Sequence, residues 1–450
     1  GSAVPDDHVA RIVIPYEPRA LQAEFHDSFA RLCPRASCLV CHRRFGKSVM
    51  TINQLVRSAM ECQREAPRFA FIAPYLKQAK SIGWDYLHKY AGVIPGTDFN
   101  ESELRCDLPG NRRITLYGAD NPQGIEGIYL DGVVMDEYQF TNPKLFGSSV
   151  RPMLADRRGW AVFIGKPNGR NHFYRLYQAM KADRRRLTRL YRASETKILS
   201  EEELEDMRVG PPPMTENQYA QEVECSWDAA VEGAYYAREL DRARAAGRMR
   251  PLTWEPALPV NTYWDLGFSD ATAIIFAQFV GREIHVLDYL ESRGQGMPYY
   301  AKALQDKPYL YGKHVLPHDA GYQQQAAAGV TLEQQLRALG VRQTVVLSRS
   351  DVEAGINQAR LIFPRIWFDD VKCEGLLDAL AAYKAEWDDK RQDLKRAPEH
   401  DWASHGADAF RYLAVSLGDT LHARDTSARR PTSNRGAFSL RDVTGGAMSR

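Results

Sequence analysis

The chain has 450 residues, 44% hydrophobic and 26% charged, an ordinary composition for a soluble globular protein with room for two or three domains. No run approaches the ~18 apolar residues of a membrane span, which excludes a membrane role. Its 59 basic and 57 acidic residues leave a formal charge of +2, so there is no global nucleic-acid signature and any DNA contact must come from local patches. Seven scattered cysteines, an odd number, indicate free thiols in a reducing compartment, and the expected home is cytoplasm. The opening Gly1-Ser2, without a methionine, reads as an expression remnant.

Residues 36–40 form a short apolar run like a buried strand, and 49–60 read as a helix. Between them, Cys41-His42-Arg43-Arg44-Phe45-Gly46-Lys47-Ser48 ends in the Gly-Lys-Ser of a phosphate-binding loop, with Cys41 where the usual pattern has its first glycine. Backbone N–H groups at such a helix start can cradle phosphate oxygens, Lys47 can neutralise the β/γ charge, and Ser48 can hold a magnesium ion. The plainer alternative is a surface helix that opens with Gly46-Lys47-Ser48. The overlapping Cys38-Leu39-Val40-Cys41-His42 spells a haem-attachment pattern, but the N-terminus has no secretory segment, so haem is set aside.

Strands are expected at 68–73, 113–117 and 132–135, with a helix over 75–90, which implies an α/β parallel sheet. The strand Gly132-Val133-Val134-Met135 ends in Asp136-Glu137. In a nucleotide hydrolase the first carboxylate can bind the magnesium shell and the second can orient and deprotonate the attacking water; a plain polar strand stop is the alternative. The basic run from Asp183 to Arg189 reads as a solvated face or a phosphate contact. Gly210-Pro211-Pro212-Pro213 breaks the pattern, and 231–259 look like an interdomain helix and a proline-spaced linker.

A second unit begins near Pro259. The apolar stretch within 261–280 and the run 283–292 read as strands around a turn at Gly281. A helix through 299–305, strands at 314–317 and 344–347, and helices near 332–339, 352–363, 374–387 and 402–417 then suggest a mixed sheet. From 421 the composition is that of a disordered basic tail. Asp265 lies inside the first strand, a costly place for a charge unless it is paired or binds metal. Asp319 follows a short strand and His318, and Asp401 and Asp408 bracket a predicted helix start whose spacing puts them on one face with His405. Such acids can hold two divalent ions for phosphodiester cleavage. Asp401 can equally cap its helix and Asp319 start a turn, while Asp270 and Asp288 read as surface acids of the hairpin region.

The loop 43–48, the strand ending in Asp136-Glu137, the segment Phe163-Ile164-Gly165-Lys166-Pro167-Asn168-Gly169 and the later carboxylates, in this order, resemble the large terminase subunit of tailed double-stranded DNA bacteriophages. The resemblance spans nearly the whole chain up to about residue 420. It implies a P-loop ATPase motor domain with a mainly parallel sheet over 1–230, the linker at 231–259, an RNase H-like nuclease domain with a mixed sheet over 260–420, and the tail at 421–450. It implies an enzyme that hydrolyses ATP to move double-stranded DNA into a procapsid and cuts concatemeric DNA with a two-metal nuclease. The nucleotide would be held by Arg43, Arg44, Gly46, Lys47, Ser48 and Asp136, with magnesium on Ser48 and Asp136 and Glu137 catalytic. Tyr16 and Gln22 match the adenine-contacting segment, although Pro18 at a helix start with a surface Gln22 reads equally well. Residues 165–169 would couple hydrolysis to DNA movement, or simply form a Gly/Pro turn. Asp265, Asp319 and Asp408 match the carboxylates that bind nuclease Mg²⁺ or Mn²⁺, with Asp401 as the alternative third ligand.

Implied partners are DNA, a portal protein, a small terminase subunit and further copies in a ring, with a monomer compatible in solution; the implied place is the host cytoplasm, docked on the procapsid portal. One departure stands out. The family's usual Arg-Gly before the acidic strand, whose arginine reaches a neighbouring nucleotide, is Glu126-Gly127 here, leaving Arg43, Arg44, Arg112, Arg113, Arg151 and Arg170 as candidates. The rival reading is a cellular DNA-translocating helicase or repair ATPase with an accessory nuclease. A helicase needs further nucleotide-sensing motifs in a second lobe, where this chain offers carboxylates.

Overall fold

Apolar runs without alternation form strands covered on both faces, and the N-terminal half is built from them. The computed structural model describes residues 12–428 apart from 126, 128, 230, 268–270, 322–328 and 389–392. Strands β1 (Ala36–Cys41), β2 (Arg68–Ala73), β3 (Asp98–Asn100), β4 (Arg105–Leu108), β5 (Arg112–Gly118), β6 (Gly132–Met135), β7 (Trp160–Gly165) and β8 (Leu187–Tyr191) make one sheet in the order β3-β4-β5-β2-β6-β7-β1-β8. Pairing is parallel from β5 through β8 and antiparallel only at the β3–β4–β5 edge. One face packs on Phe25, Leu55, Phe71 and Ile164, the other on Cys38, Val133, Phe163 and Phe173. Because β1, β6 and β7 run the same way, the loops after Cys41, Met135 and Gly165 gather along one edge, where open α/β sheets bind ligands.

The helix expected over 75–90 is three pieces, Leu76–Gln78, a π-turn at Ala79–Trp84 and Asp85–Ala91. Gly83 lies in the π-turn, where a Cβ would sit 3.1 Å from both Phe71 and Leu116, so glycine lets the turn pack closely on the sheet.

The second sheet contains β9 (Val260–Asp265), β10 (Ala271–Val280), β11 (Glu283–Arg293), β12 (Tyr311–Leu316), β13 (Thr344–Val346) and β14 (Ile366–Phe368), in the order β13-β12-β9-β10-β11-β14. An antiparallel β9-β10-β11 meander continues into parallel β12 and β13, the mixed arrangement expected of an RNase H-like unit. The helix Ser404–Ala428 packs on this sheet through Phe410 and Leu413. The apolar stretch within 261–280 is two strands, β9 ending at Asp265 and β10 starting at Ala271.

The helix expected to 387 ends at Ala382. Tyr383 is extended, at φ −66° and ψ 114°, and its buried ring stacks on Tyr236 with centroids 6.0 Å apart. That anchor pulls the chain into β15 (Ala385–Asp388), which pairs with β16 (Asp393–Pro398) in a two-stranded ribbon. The last helix continues to Ala428, and residues 429–450 of the expected tail lie outside the described residues. The seven cysteines are free thiols. Among the described residues no helix is long and apolar enough to cross a membrane.

The two sheets are joined at a polar seam. Arg175 on the helix His172–Lys181 donates to both oxygens of buried Asp378, at 2.8 and 2.7 Å. Trp402 Nε1 donates to Phe140 O at 3.1 Å, and Tyr75 donates to Glu399 at 3.2 Å.

Each half carries a buried histidine that burial pushes down to about 4: His172, which lies 2.9 Å from Tyr138 O, and His314, 2.6 Å from Thr262 Oγ1. A histidine with a depressed native pKa takes up its proton first in the unfolded chain, so its stabilisation is lost as pH falls from about 6.5 toward 4. Replacing His314 by glutamine should therefore flatten the fall in unfolding free energy between pH 7 and pH 5 by about 2 kcal/mol, read from urea titrations of both proteins. Parallel pH profiles would contradict this.

Candidate nucleotide and metal sites

The segment after β1 turns through Arg44 at φ 71° and Gly46 at φ 87°, and the helix Lys47–Glu61 starts immediately. Gly46 favours glycine because its φ is positive; a Cβ there would also sit 2.7 Å from Gln22 Nε2 and push that amide aside. Cys41 is the last strand residue and fully covered, so the position of the usual first glycine carries no turn here. The loop's outer wall is Phe45 stacked on Tyr191, with centroids 4.4 Å apart, and His42 Nε2, which lies 2.8 Å from Thr196 Oγ1.

The segment before the first helix, Ala20–Leu32, straps this loop from behind. Arg19 donates from Nη1 to the carbonyls of Arg44 and Phe45, each at 3.2 Å. Gln22 is 4% exposed; its Oε1 accepts from Arg19 N at 3.0 Å, and its Nε2 donates to Phe45 O and Gly46 O, each at 3.3 Å. Gln22 is therefore not a surface residue, and its amide is already engaged by the loop. Tyr16 lies 3.0 Å from His26 Nε2 through its hydroxyl, and its ring meets His26 and Tyr90 edge-on.

At the facing strand end, Lys47 Nζ lies 2.5 Å from Glu137 Oε1. Glu137 takes the left-handed conformation at φ 44°, which starts the turn Tyr138–Phe140 and aims its side chain back at the loop. Gln139 Nε2 donates to Glu137 Oε2. Asp136 is 1% exposed, and its Oδ1 has no hydrogen-bond partner among the described residues. Burial pushes the Asp136 carboxyl up, with Lys47 opposing and Glu137 adding to the rise. At Glu137 burial acts the same way but Lys47 outweighs it and keeps the carboxyl ionised. Burial would lower Lys47, yet Glu137 and Asp136 together raise it, so the ammonium stays charged. Ser48 stands beside Lys47 in the first turn of the helix.

A second ring of charge surrounds this pair. Lys166, just beyond β7, gives its N–H to Gln139 Oε1 at 3.3 Å and its Nζ to Glu222 Oε1 at 2.6 Å. Arg43 donates from Nη1 to Glu222 Oε2 at 2.9 Å. Nothing in the sequence flagged Glu222, which closes the short helix Glu216–Glu222, or Gln139. Arg112 and Arg113 lie at the start of β5, the opposite sheet edge from the loop, and Arg113 is paired with Asp107 at 2.6 Å. Arg151 sits over Phe146 at 5.5 Å, and Arg170 pairs with Asp228 at 2.7 Å. Glu126 is outside the described residues. In the basic run, Arg185 and Arg186 share Asp183 and Arg189 pairs with Glu24, so part of its positive charge is locally balanced.

In the second sheet, parallel β9 and β12 are neighbours, so Asp265 at the end of β9 and Asp319 just beyond β12 share an edge. The last helix crosses it with His405 and Asp408. His405 Nδ1 lies 3.1 Å from Asp265 Oδ2, and Arg411, itself buried, donates to Asp408 Oδ1 at 3.1 and 3.3 Å. Burial pushes the Asp265 carboxyl up to about 6, with His405 opposing and the charges of Asp408 and Asp319 adding, so the three acids lie within each other's fields. Asp319 Oδ1 is buried without a hydrogen-bond partner among the described residues. Among those residues no three His, Cys, Asp or Glu side chains are drawn together tightly enough to grip an ion.

Asp401 behaves differently from the expectation. The helix begins at Ser404, so Asp401 precedes it and shares no helical face with His405 and Asp408. Its Oδ1 accepts from Ala403 N at 2.9 Å, the capping alternative, and its neighbours are Glu399 and Lys384. Asp288 is not a free surface acid, since Lys307 Nζ lies 2.5 Å away; Asp270 is outside the described residues.

A Gly-Lys-Ser loop at the edge of a parallel sheet, faced by an Asp-Glu strand end and followed by an acid-edged mixed sheet, defines a phosphate-loop protein with a second α/β unit. No family model matches the chain. It is 28% identical over 184 residues to the large terminase subunit of Thermus virus P23-45, an alignment spanning 37% of each chain. It is 22% identical over 365 residues to the large terminase subunit of Escherichia phage T5, spanning 77% of this chain and 79% of the relative. Among solved structures, the large terminase of the thermophilic bacteriophage D6E aligns with a TM-score of 0.42 and 17% identity, over 89% of this chain and 99% of that chain. The sequence relatives it resembles are thus large terminase subunits of phages.

The strap on the loop is testable without any ligand. Gln22→Ala removes two bonds to loop carbonyls, so amide exchange at Phe45 to Ser48 should accelerate by about tenfold in hydrogen–deuterium exchange mass spectrometry, with the β7 amides unchanged. Unaltered loop exchange would show that Gln22 does not brace it.

Proposed function

We propose that this chain is the packaging enzyme of a tailed phage, an ATPase that moves double-stranded DNA into a procapsid and a metal-dependent nuclease that cuts the concatemer. The observation that carries the first half is the Lys47–Glu137 ion pair at 2.5 Å beside the unpartnered Asp136 Oδ1. In the nucleotide-free protein the base and the phosphate-binding lysine neutralise each other. The β/γ-phosphates of ATP, cradled by the helix-start N–H groups with Gly46, Arg43 and Arg44 around them, draw Lys47 away. Glu137, held ionised and braced by Gln139, is then free to take a proton from the attacking water. Ser48 and Asp136 fit magnesium, since one is a hydroxyl at the helix start and the other offers a buried oxygen without a partner. Magnesium there would supply positive charge against the phosphate oxygens. Recognition of adenine by Gln22 requires its amide to leave the Gly46 carbonyl, with Tyr16 beside it.

For the nuclease half, Asp265, Asp319 and Asp408 are the residues that would hold Mg²⁺ or Mn²⁺, and Asp319 Oδ1 is a ready oxygen. Such ions supply an activated water and a stabilised leaving oxygen for phosphodiester cleavage. His405 and Arg411 orient two of the three carboxylates. The proposed division is a motor over 1–230, a linker over 231–259 and a nuclease over 260–420. A ring of copies at the portal, fed by a small subunit, completes the reading.

Glu137→Gln should lower phosphate release by about 10²–10⁴-fold without weakening ATP binding, because the proton acceptor is lost together with the carboxylate that competes with phosphate for Lys47. Lys47→Ala should abolish hydrolysis, and retained turnover would sink the motor assignment. Asp265→Asn should remove Mn²⁺-dependent nicking of plasmid DNA while phosphate release from ATP continues; cleavage at the unaltered rate would refute the metal site.

A further inference from the structure

Three of the cations around the loop have carboxylate partners, and these counter-ions are unequal. Lys47 has Glu137 to itself, whereas Arg43 and Lys166 share Glu222. The sharing is specific: Glu222 Oε2 takes Arg43 Nη1 at 2.9 Å, Oε1 takes Lys166 Nζ at 2.6 Å, and the Glu222 carbonyl accepts Arg43 N at 2.7 Å. The carboxylate is largely covered, with 18% of its side chain exposed. Burial alone would raise it, but Lys166 and Arg43 together hold it below the usual carboxylate range. Lys166 also helps to lower Glu137, so its charge reaches the base as well as Glu222. Through Gln139 the contacts close into a ring that runs Lys47, Glu137, Gln139, Lys166, Glu222, Arg43 and back to the loop.

One carboxylate balancing two cations on two different elements is easily outcompeted by a triphosphate, because guanidinium and ammonium groups bond phosphate oxygens strongly. Resting on the ATP reading above, we propose that Glu222 is a positioning residue that holds Arg43 and Lys166 off the phosphate site in the nucleotide-free protein and yields them to the γ-phosphate. The same exchange loosens Lys166 from the helix Glu216–Glu222, so the segment 165–169 senses whether a triphosphate is present. A diphosphate lacks the group that competes, so Glu222 discriminates between ATP and ADP.

The test is equilibrium binding of a non-hydrolysable ATP analogue and of ADP, measured by competition against a fluorescent nucleotide. Glu222→Gln keeps the shape and removes the charge, and should tighten the ATP analogue by about tenfold while shifting ADP by less than about threefold. Adding Lys166→Met to it should abolish most of the gain. An unchanged analogue affinity, or equal changes for both nucleotides, overturns the latch. Should Glu222→Gln not fold, Lys166→Met alone decides: selective weakening of the analogue supports the proposal, and equal or no weakening overturns it. Lys47→Ala run alongside separates the readings, since nucleotide binding unaffected by that change would refute the ATP site itself, whereas lost binding with an inert Glu222→Gln would refute only the latch.

Discussion

The ion pair between Lys47 and Glu137 is the constraint on which the N-terminal site depends. Two adjacent carboxylates at a covered strand end are tolerated only with a cation in contact, because unpaired charge away from water is costly. Lys47 cannot wander to find them. It is the first residue of a helix whose start is set by the positive φ of Gly46, and Glu137 is aimed by its own left-handed backbone. The geometry of β1 and β6, separated by β7 in one parallel sheet, does the rest. Gln139, Lys166, Glu222 and Arg43 follow as the groups that balance what this pair leaves unsatisfied.

The turn that orients Glu137 also faces the other unit. Tyr138–Phe140 gives its Gln139 side chain to Glu137 and its Phe140 carbonyl to Trp402, two residues before the helix that carries His405 and Asp408. His172 bonds the same turn and meets the Trp402 ring edge-on at 6.3 Å, and Lys384 sits over Phe140 at 4.8 Å. Next to it Arg175 gives its single Nη2 to both oxygens of buried Asp378, and so adds a charged contact where the units meet. Glu137 and the helix that carries His405 and Asp408 are thus linked through a single turn and one indole.

The second site is electrostatically unfinished where the first is balanced. Asp265 leans on His405 and Asp408 on Arg411, while Asp319 keeps a buried oxygen unpaired. The mutual repulsion of these acids adds to burial in keeping Asp265 easier to protonate than a free carboxyl. A positive charge among them would relieve both, since it would offset the repulsion and pair the buried oxygen.

Local chemistry was enough to read much of this from the chain. The strands 68–73 and 132–135, the loop between strand and helix, the Asp-Glu strand end and the acids at 265, 319 and 408 are written in short runs whose hydrophobicity, turn residues and costly charges act within a few residues. The partners that decide what those groups do are distant in sequence: Glu222 reaches Arg43 across 179 residues, and His405 reaches Asp265 across 140. Asp401 looked like a helix-face ligand because spacing assumes a helix already begun, whereas its own carboxylate ends up capping the turn before Ser404. Gln22 reads as either an adenine contact or a surface amide, and the structure buries it against the loop, while Tyr383 leaves the helix and stacks on Tyr236. The sequence alone determined which residues carry charge and where strands and turns lie, because backbone preference and hydrophobic patterning are local. Only the tertiary structure decided which charges meet, because pairing and desolvation depend on segments brought together by the sheet.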